Sequence, residues 1–371
     1  MIAPVKKPVL LFAGGGTGGH VYPALALARA LPMFEVLFVV PKGRGDTDRI
    51  RGEFETVEMD APRVDRERLR FPVRFLRSVV EARQLLRERD VAAVAGMGGY
   101  SAVPVCIAAK TMRKPFYLVE LNAVAGKATR ALARLASGVG LGDAAPLDTF
   151  QRHAPCRVTG TPLRTEAHLE ASHDTFGLSP DLPTLLVLGG SQGARGLNTR
   201  IIEAMRPCED LRFQVLHCAG SADAERVRAA YRPLARHAVV LDYLDEIGSA
   251  YSVADVVIAR AGASTVAECL ARGKPTVFVP YPHHRDQQQH KNAQAAVAAD
   301  AARLVREEEL TPPAFRRIVA PLLVDLAERE SMAVRAHALA RPAAAEDMAG
   351  HLLETLGHAL AERSWVAELG G

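Results

Sequence analysis

Four short stretches of the 371-residue chain join glycine to small hydroxyl, amide or charged residues: Gly14–His20, Gly96–Ser101, Gly189–Gly193 and Arg260–Thr265. Each follows a short apolar run and precedes a segment of helical period. Glycine lets the backbone come close to a ligand, and a helix N-terminus offers an anion N–H groups that have no intrahelical partner. One such end contributes on the order of 0.3–1 kcal/mol when exposed, and more when half-buried. A single glycine turn between strand and helix is equally well explained by tight geometry. Four of them, spread over two halves of the chain, point to a diphosphate held by backbone amides without metal.

Two other nucleotide chemistries fail on local sequence. Gly14-x-Gly16-x-x-Gly19 has the form of a dinucleotide fingerprint, which also requires an acidic residue ending the second strand. Here Val40 is followed by Pro41, Lys42 and Gly43, and the nearest acid downstream is Asp46. No GxxxxGK[ST] stretch occurs, so a P-loop is unsupported. The five cysteines (Cys106, Cys156, Cys208, Cys218, Cys269) are far apart with no CxxC pair. Neither a zinc knuckle nor a disulfide framework follows, and a reducing cytoplasm fits.

The elements that position these loops alternate. Val9–Ala13, Val36–Val40, Val91–Ala95, Phe116–Val119 and Val139–Leu141 read as buried strands. Between them Tyr22–Leu31, Val79–Glu88, Val103–Lys110 and Lys127–Ala136 read as helices. The rhythm restarts with strands at Thr184–Leu188, Phe213–His217, Val239–Leu241, Val256–Ala259 and Thr276–Val279, and from Pro312 onward only helices are expected. Strands alternating with helices imply parallel sheets covered on both faces. Two series imply two doubly wound domains meeting near Gly160-Thr161-Pro162.

With 49% hydrophobic and 24% charged residues, the chain suits two ordinary cores and a solvated surface. No apolar run is long enough to span a bilayer. Lys6 and Lys7 before Val9–Ala13 superficially suggest a signal peptide, but the run is short and leads into glycines, as a first strand would. Net charge is uneven. Residues 1–160 hold 24 Lys and Arg against 15 Asp and Glu, a net +9, whereas 161–371 hold 22 against 27, a net −5. The basic half suggests an anionic partner, phosphate or an acidic membrane face. No zinc finger, RNP-type aromatic motif or helix-turn-helix cue favours nucleic acid. Residues 63–89 carry nine arginines against four acids. There Phe71, Val73, Phe75, Leu76 and Val79 interleave with Arg70, Arg74 and Arg77. From pattern alone this is either a core-facing helix with a solvated back or a surface for anionic headgroups.

The glycine stretches are more specific than their composition. GGGTGGHVYPALALA (14–28) resembles the first motif of the MurG family of GT-B glycosyltransferases. GMGGYSAVP (96–104), GGSQGARGLN (189–198) and RAGASTVAECLARGKPTVFVPYP (260–282) are similar to successive blocks of that family in order and spacing. The resemblance covers roughly residues 9–300. It implies an α/β GT-B fold, two Rossmann-like doubly wound domains facing across a cleft. Residues 1–160 would bind the acceptor and the membrane, 161–345 would bind the donor, and 346–371 would form a helix packing back toward the first domain. The implied activity is inverting transfer of N-acetylglucosamine from UDP-GlcNAc to the MurNAc of lipid I, giving lipid II for peptidoglycan. No cofactor, metal or nucleic acid is expected. The implied location is peripheral, on the cytoplasmic face of the membrane, with the 71–79 patch (Phe71, Val73, Arg74, Phe75, Leu76, Arg77, Val79) docking there.

The resemblance also assigns roles. Glu268 would accept the ribose hydroxyls. Ser191, at a helix start, and Arg164, as a fixed positive fork, would hold the diphosphate. Gln288 and Gln289 would read the sugar, since amides both donate and accept. Leu244 and the Ala263, Ser264 and Thr265 backbone would pack around uracil, with Thr17, Gly18, Gly19 and Asn122 completing the donor side. His20, opening a helix, is the preferred base, because a helix N-terminus lowers imidazole pKa and keeps it able to take a proton. Glu120 is the second candidate. Asp46-Thr47-Asp48 has the DxD form of the other glycosyltransferase fold, but its charged loop reads as solvated.

Two departures concern the acceptor side. Val119-Glu120-Leu121-Asn122 stands where the family usually has His-Glu-Gln-Asn, and Thr161 replaces the usual Asn before Pro162. Competing readings are a related lipid or natural-product glycosyltransferase, a sugar-nucleotide epimerase, and a non-catalytic membrane-docking subunit. The polar residues Glu268, Gln288 and Gln289 favour UDP-GlcNAc as donor.

Overall fold

The computed structural model describes residues 6–14, 18–43, 48–61, 70–190, 193–234 and 236–361. Thr17, Ser191, Asp46 and Thr47 lie outside the described residues. The chain divides into two compact units, Met1–Pro162 with Ala343–Gly371, and Leu163–Pro342.

The first unit is built on seven parallel strands: β1 (Val9–Ala13), β2 (Glu35–Pro41), β3 (Glu55–Met59), β4 (Val91–Gly96), β5 (Phe116–Glu120), β6 (Gly138–Leu141) and β7 (Cys156–Val158). Their order across the sheet is β3-β2-β1-β4-β5-β6-β7. β1 shows why such a run becomes a central strand. All five of its residues are buried, and period-two alternation sends Val9, Leu11 and Ala13 to one face and Leu10 and Phe12 to the other. On the first face they meet Val79, Ala82 and Leu86 of the helix Phe71–Glu88 and the small residues of the helix Ala102–Thr111. On the other, Phe12 stacks on Phe38 with ring centroids 5.0 Å apart. Truncating such a fully buried ring costs about 3–5 kcal/mol.

The last helix, Ala344–Ala361, belongs to this first unit. The Tyr117 hydroxyl and His351 Nδ1 lie 2.8 Å apart, and Arg157 donates to both carboxylate oxygens of Glu354 at 3.1 and 2.7 Å.

The second unit has six parallel strands, β8 (Thr184–Leu188), β9 (Gln214–Cys218), β10 (Ala238–Leu241), β11 (Val256–Ala259), β12 (Thr276–Phe278) and β13 (Ala302–Leu304). Their order is β10-β9-β8-β11-β12-β13. Both units are therefore Rossmann-like, as the alternating elements led one to expect. β3, β7 and β13 are absent from the sequence reading. All three are sheet edges, solvated on one side, so their residues need not be continuously apolar.

Helix limits shift in one place that matters. Helical periodicity read from sequence starts this helix at Tyr22, two residues after His20. The helix runs Gly18–Arg29 and takes Pro23 inside, which places His20 in its first turn.

Candidate active site

In each sheet the chain leaves the central strand in both directions, and the switch points lie between β1 and β4 and between β8 and β11. Loops at the carboxyl ends of strands flanking such a point form the binding crevice of open α/β sheets. The described residues of all four glycine stretches occupy these positions.

In the first unit the loops after β1 and β4 pack backbone to backbone. A Cβ on Gly14 (φ +119°) would lie 2.9 Å from the Gly98 carbonyl oxygen. Gly98 itself (φ +83°) lies beneath the imidazole, where a Cβ would sit 3.6 Å from His20 Nε2. A side chain at Gly14 would push the Gly98 loop away, whereas at Gly98 the positive φ, rather than lack of space, disfavours one. Gly18 is buried and Gly19 exposed at the start of the same helix.

His20 is only partly accessible, and its pKa lies below the ordinary value. Desolvation is the larger cause, and the negative charge of Glu120 opposes it. Burial, rather than the helix terminus invoked from sequence, thus dominates. The consequence is the same: a neutral imidazole at neutral pH.

Glu120 ends β5 and is 5% exposed. Its carboxylate accepts from the backbone N–H of Gly126 at 2.8 Å and of Asn122 at 3.2 Å, and from Asn122 Nδ2 at 3.3 Å. Those bonds fasten the 121–126 turn and orient Asn122. Glu120 thus braces this turn and its charge reaches His20, contacts that β5's apolar sequence did not reveal.

In the second unit Gly262 is an extended N-cap, and Ala263, Ser264 and Thr265 open the helix Ala263–Ala271 half-buried. Their N–H groups are those without intrahelical acceptors. Leu244 is half-buried against the adjoining core. Arg164 and Glu268, assigned from sequence to different parts of a nucleotide, are brought together. Arg164 Nε donates to Glu268 Oε1 at 2.7 Å and Nη2 to Oε2 at 3.3 Å. Tyr251 Oη donates to Oε2 at 3.1 Å. Glu268 is 2% exposed, so its charge is held by partners inside the protein.

Gln288 and Gln289 begin the helix Gln288–Ala298, after Gln287 in the left-handed region (φ +53°). Gln289 Oε1 accepts from the Tyr281 backbone N–H at 2.8 Å. That bond uses one of the two acceptor sites of its carbonyl and leaves the amide N–H₂ to donate.

Sequence reasoning passed over Arg260 and Tyr251. Arg260 is buried and donates to the carbonyls of Val279 (3.0 Å) and Pro280 (3.1 Å) while pairing with Glu307. It therefore holds the segment leading to Gln288 and Gln289. An arginine directly after an apolar strand was the available signal. Tyr251, inside a short helix buried on nearly every side, gave none.

On the helix Phe71–Glu88, Val73 (73% exposed), Leu76 (64%) and Val80 (56%) form an exposed apolar stripe beside Arg77. Phe71 and Phe75 stack half-buried, with centroids 5.5 Å apart, and Arg74 pairs with Asp60. Val79 corrects the sequence reading. At 7% exposure it packs in the core, because 3.6-residue periodicity turns 79, 82 and 86 inward. Val80 takes its place on the outer stripe. Among the described residues no helix is long and apolar enough to cross a membrane.

Residues 10–141 match the glycosyltransferase family 28 N-terminal domain and 184–348 its C-terminal domain. The chain belongs to glycosyltransferase family 28. Its family 28 relatives include proteins named UDP-N-acetylglucosamine–N-acetylmuramyl-(pentapeptide) pyrophosphoryl-undecaprenol N-acetylglucosamine transferase. The one from Chlorobium limicola is 34% identical over 93% of this chain and 98% of its own length. The one from Acidothermus cellulolyticus is 37% identical over 92% and 96%. Among solved structures, Acinetobacter baumannii MurG superposes with a TM-score of 0.74 at 28% identity, covering 94% of this chain and 99% of that one. A UDP-N-acetylglucosamine 2-epimerase from Listeria monocytogenes (TM-score 0.70, 14% identity, 95% and 98% covered) shares the fold alone. Family 28 membership makes this GT-B protein a hexosyltransferase.

Proposed function

We propose that this protein moves N-acetylglucosamine from UDP-GlcNAc to the MurNAc of lipid I, forming lipid II in peptidoglycan synthesis. The observation that carries the reading is identity of 34–37% with transferases so named, across more than nine-tenths of both chains.

In the reaction an acceptor hydroxyl oxygen bonds to the anomeric carbon as the bond to the β-phosphate oxygen breaks, its electron pair leaving with UDP. The configuration inverts. The neutral His20 imidazole takes the hydroxyl proton. Departing diphosphate charge is met by the Ala263–Thr265 N–H groups, by Ser191 in the 189–193 loop and by Arg164. Glu268 reads the ribose, Leu244 and the Ala263–Thr265 backbone flank uracil, and Gln288 and Gln289 read the sugar, Gln289 as donor. Thr17, Gly18, Gly19 and Asn122 contribute to donor recognition.

The enzyme works peripherally at the cytoplasmic membrane face. Val73, Leu76 and Val80 enter the headgroup boundary, and Arg77 meets anionic lipid at about 1 kcal/mol.

The test is release of UDP from UDP-GlcNAc with a short-chain lipid I analogue, in EDTA, by wild type and Glu268→Ala. Acceptor-dependent release that Glu268→Ala loses is the expected result. Donor binding without turnover assigns another acceptor, and UDP release that ignores the acceptor overturns the transfer reading.

A further inference from the structure

Glu268 is fixed from two sides. Arg164 engages Oε1 once and Oε2 once, and Tyr251 adds a second bond to Oε2 from the protein core. A carboxylate accepts about four hydrogen bonds, two per oxygen. Oε2 is thereby filled by protein donors, and the remaining acceptor direction lies on Oε1.

Tyr251 stands on the helix Ile247–Val253 with 0% exposure. Its ring packs among Leu186, Leu188, Val257 and Val266 in the same core. Because a carboxylate only accepts, the phenol must be the donor. Burial keeps it protonated, pushing its pKa far above the ordinary value. The Cys269 thiol, 3.9 Å from Tyr251 Oη, closes the chain on the far side. Such an arrangement leaves Oε1 as the carboxylate oxygen with an open acceptor direction.

We infer that Tyr251 is a positioning residue for nucleotide recognition, its hydroxyl holding Glu268 so that Oε1 is presented to the ribose 2′-hydroxyl of a uridine diphosphate. The inference rests on the donor-site reading above and extends it to a residue that touches no substrate. Tyr251 then sets preference for ribonucleotide over deoxyribonucleotide. Without the hydroxyl, Oε2 regains an acceptor direction and the carboxylate rotates between alternatives.

Calorimetric titration of the full chain with UDP and with 2′-deoxy-UDP tests this for wild type, Tyr251→Phe, Glu268→Gln and the double variant. Tyr251→Phe keeps the buried ring and removes one oxygen. Wild type should prefer UDP by about tenfold or more, the scale of a hydrogen bond to a charged group. Tyr251→Phe should shrink that ratio to about threefold or less, leave 2′-deoxy-UDP affinity unchanged, and add nothing in the Glu268→Gln background. Equal weakening toward both nucleotides marks a merely structural residue and overturns the inference, as does an undiminished ratio. A further loss in the double variant also overturns it, since Tyr251 would then act apart from Glu268. Wild type binding neither nucleotide, or both equally, removes the donor-site reading itself.

Discussion

Arg164 meets Glu268 side-on, its Nε and Nη2 against the two carboxylate oxygens, and both side chains are largely withdrawn from water (15% and 2% exposed). Removing one member of a buried pair leaves the other charge uncompensated, at about 3–5 kcal/mol. Arg164→Ala should therefore lower unfolding free energy by about that amount in urea titrations, besides weakening UDP affinity. Arg164→Ala combined with Glu268→Gln should cost less than the sum of the single variants, because no stranded charge remains. Additive losses would mean that the pair does not couple.

Acid should act on stability through His217 and on turnover through His20. His217 is fully buried between Tyr231 Oη and Asn198 Oδ1, both at 3.0 Å, and burial lowers its pKa to about 3. Between that value and the ordinary 6.5, the unfolded chain binds a proton that the folded chain refuses. Stability present above the ordinary pKa is therefore lost as pH falls through this window, by about 1.4 kcal/mol per unit for one group. His217→Leu should flatten that slope in denaturant titrations. His20, also lowered, places the acid limb of kcat/KM below the ordinary histidine value, and His20→Ala should abolish that limb with the residual activity.

The outward and inward faces of the Phe71–Glu88 helix should separate cleanly on mutation. Val73→Asp with Leu76→Asp should reduce flotation with vesicles rich in phosphatidylglycerol. Turnover of a water-soluble acceptor should stay unchanged, since both residues are exposed. Val79→Asp puts a charge into the core and should lower the melting temperature sharply. Loss of flotation by Val79→Asp in a protein that still melts normally would contradict this division.

Part of the fold and of the site is legible in the chain itself. Central strands such as Val9–Ala13 and Val256–Ala259 are covered on both faces, so their unbroken apolar runs announce them. The glycine loops were legible because backbone approach at a strand-helix turn constrains residue type directly. Edge strands such as Glu55–Met59 escaped because a solvated edge tolerates Glu55 and Glu58. Val79 was assigned to the wrong face because the exposed and buried stripes of that helix are both apolar.

By itself, then, the sequence determined the doubly wound class, the four glycine turns and the family, since each depends on local period or on a short motif. Tertiary structure alone decided which polar residues meet. It put Arg164 and Tyr251 on Glu268, Glu120 on the 121–126 turn, and Arg260 on the carbonyls of Val279 and Pro280. The physical reason is common to all of them. A buried charge must find donors or acceptors wherever the fold brings them, and Arg164 and Glu268 lie 104 residues apart along the chain.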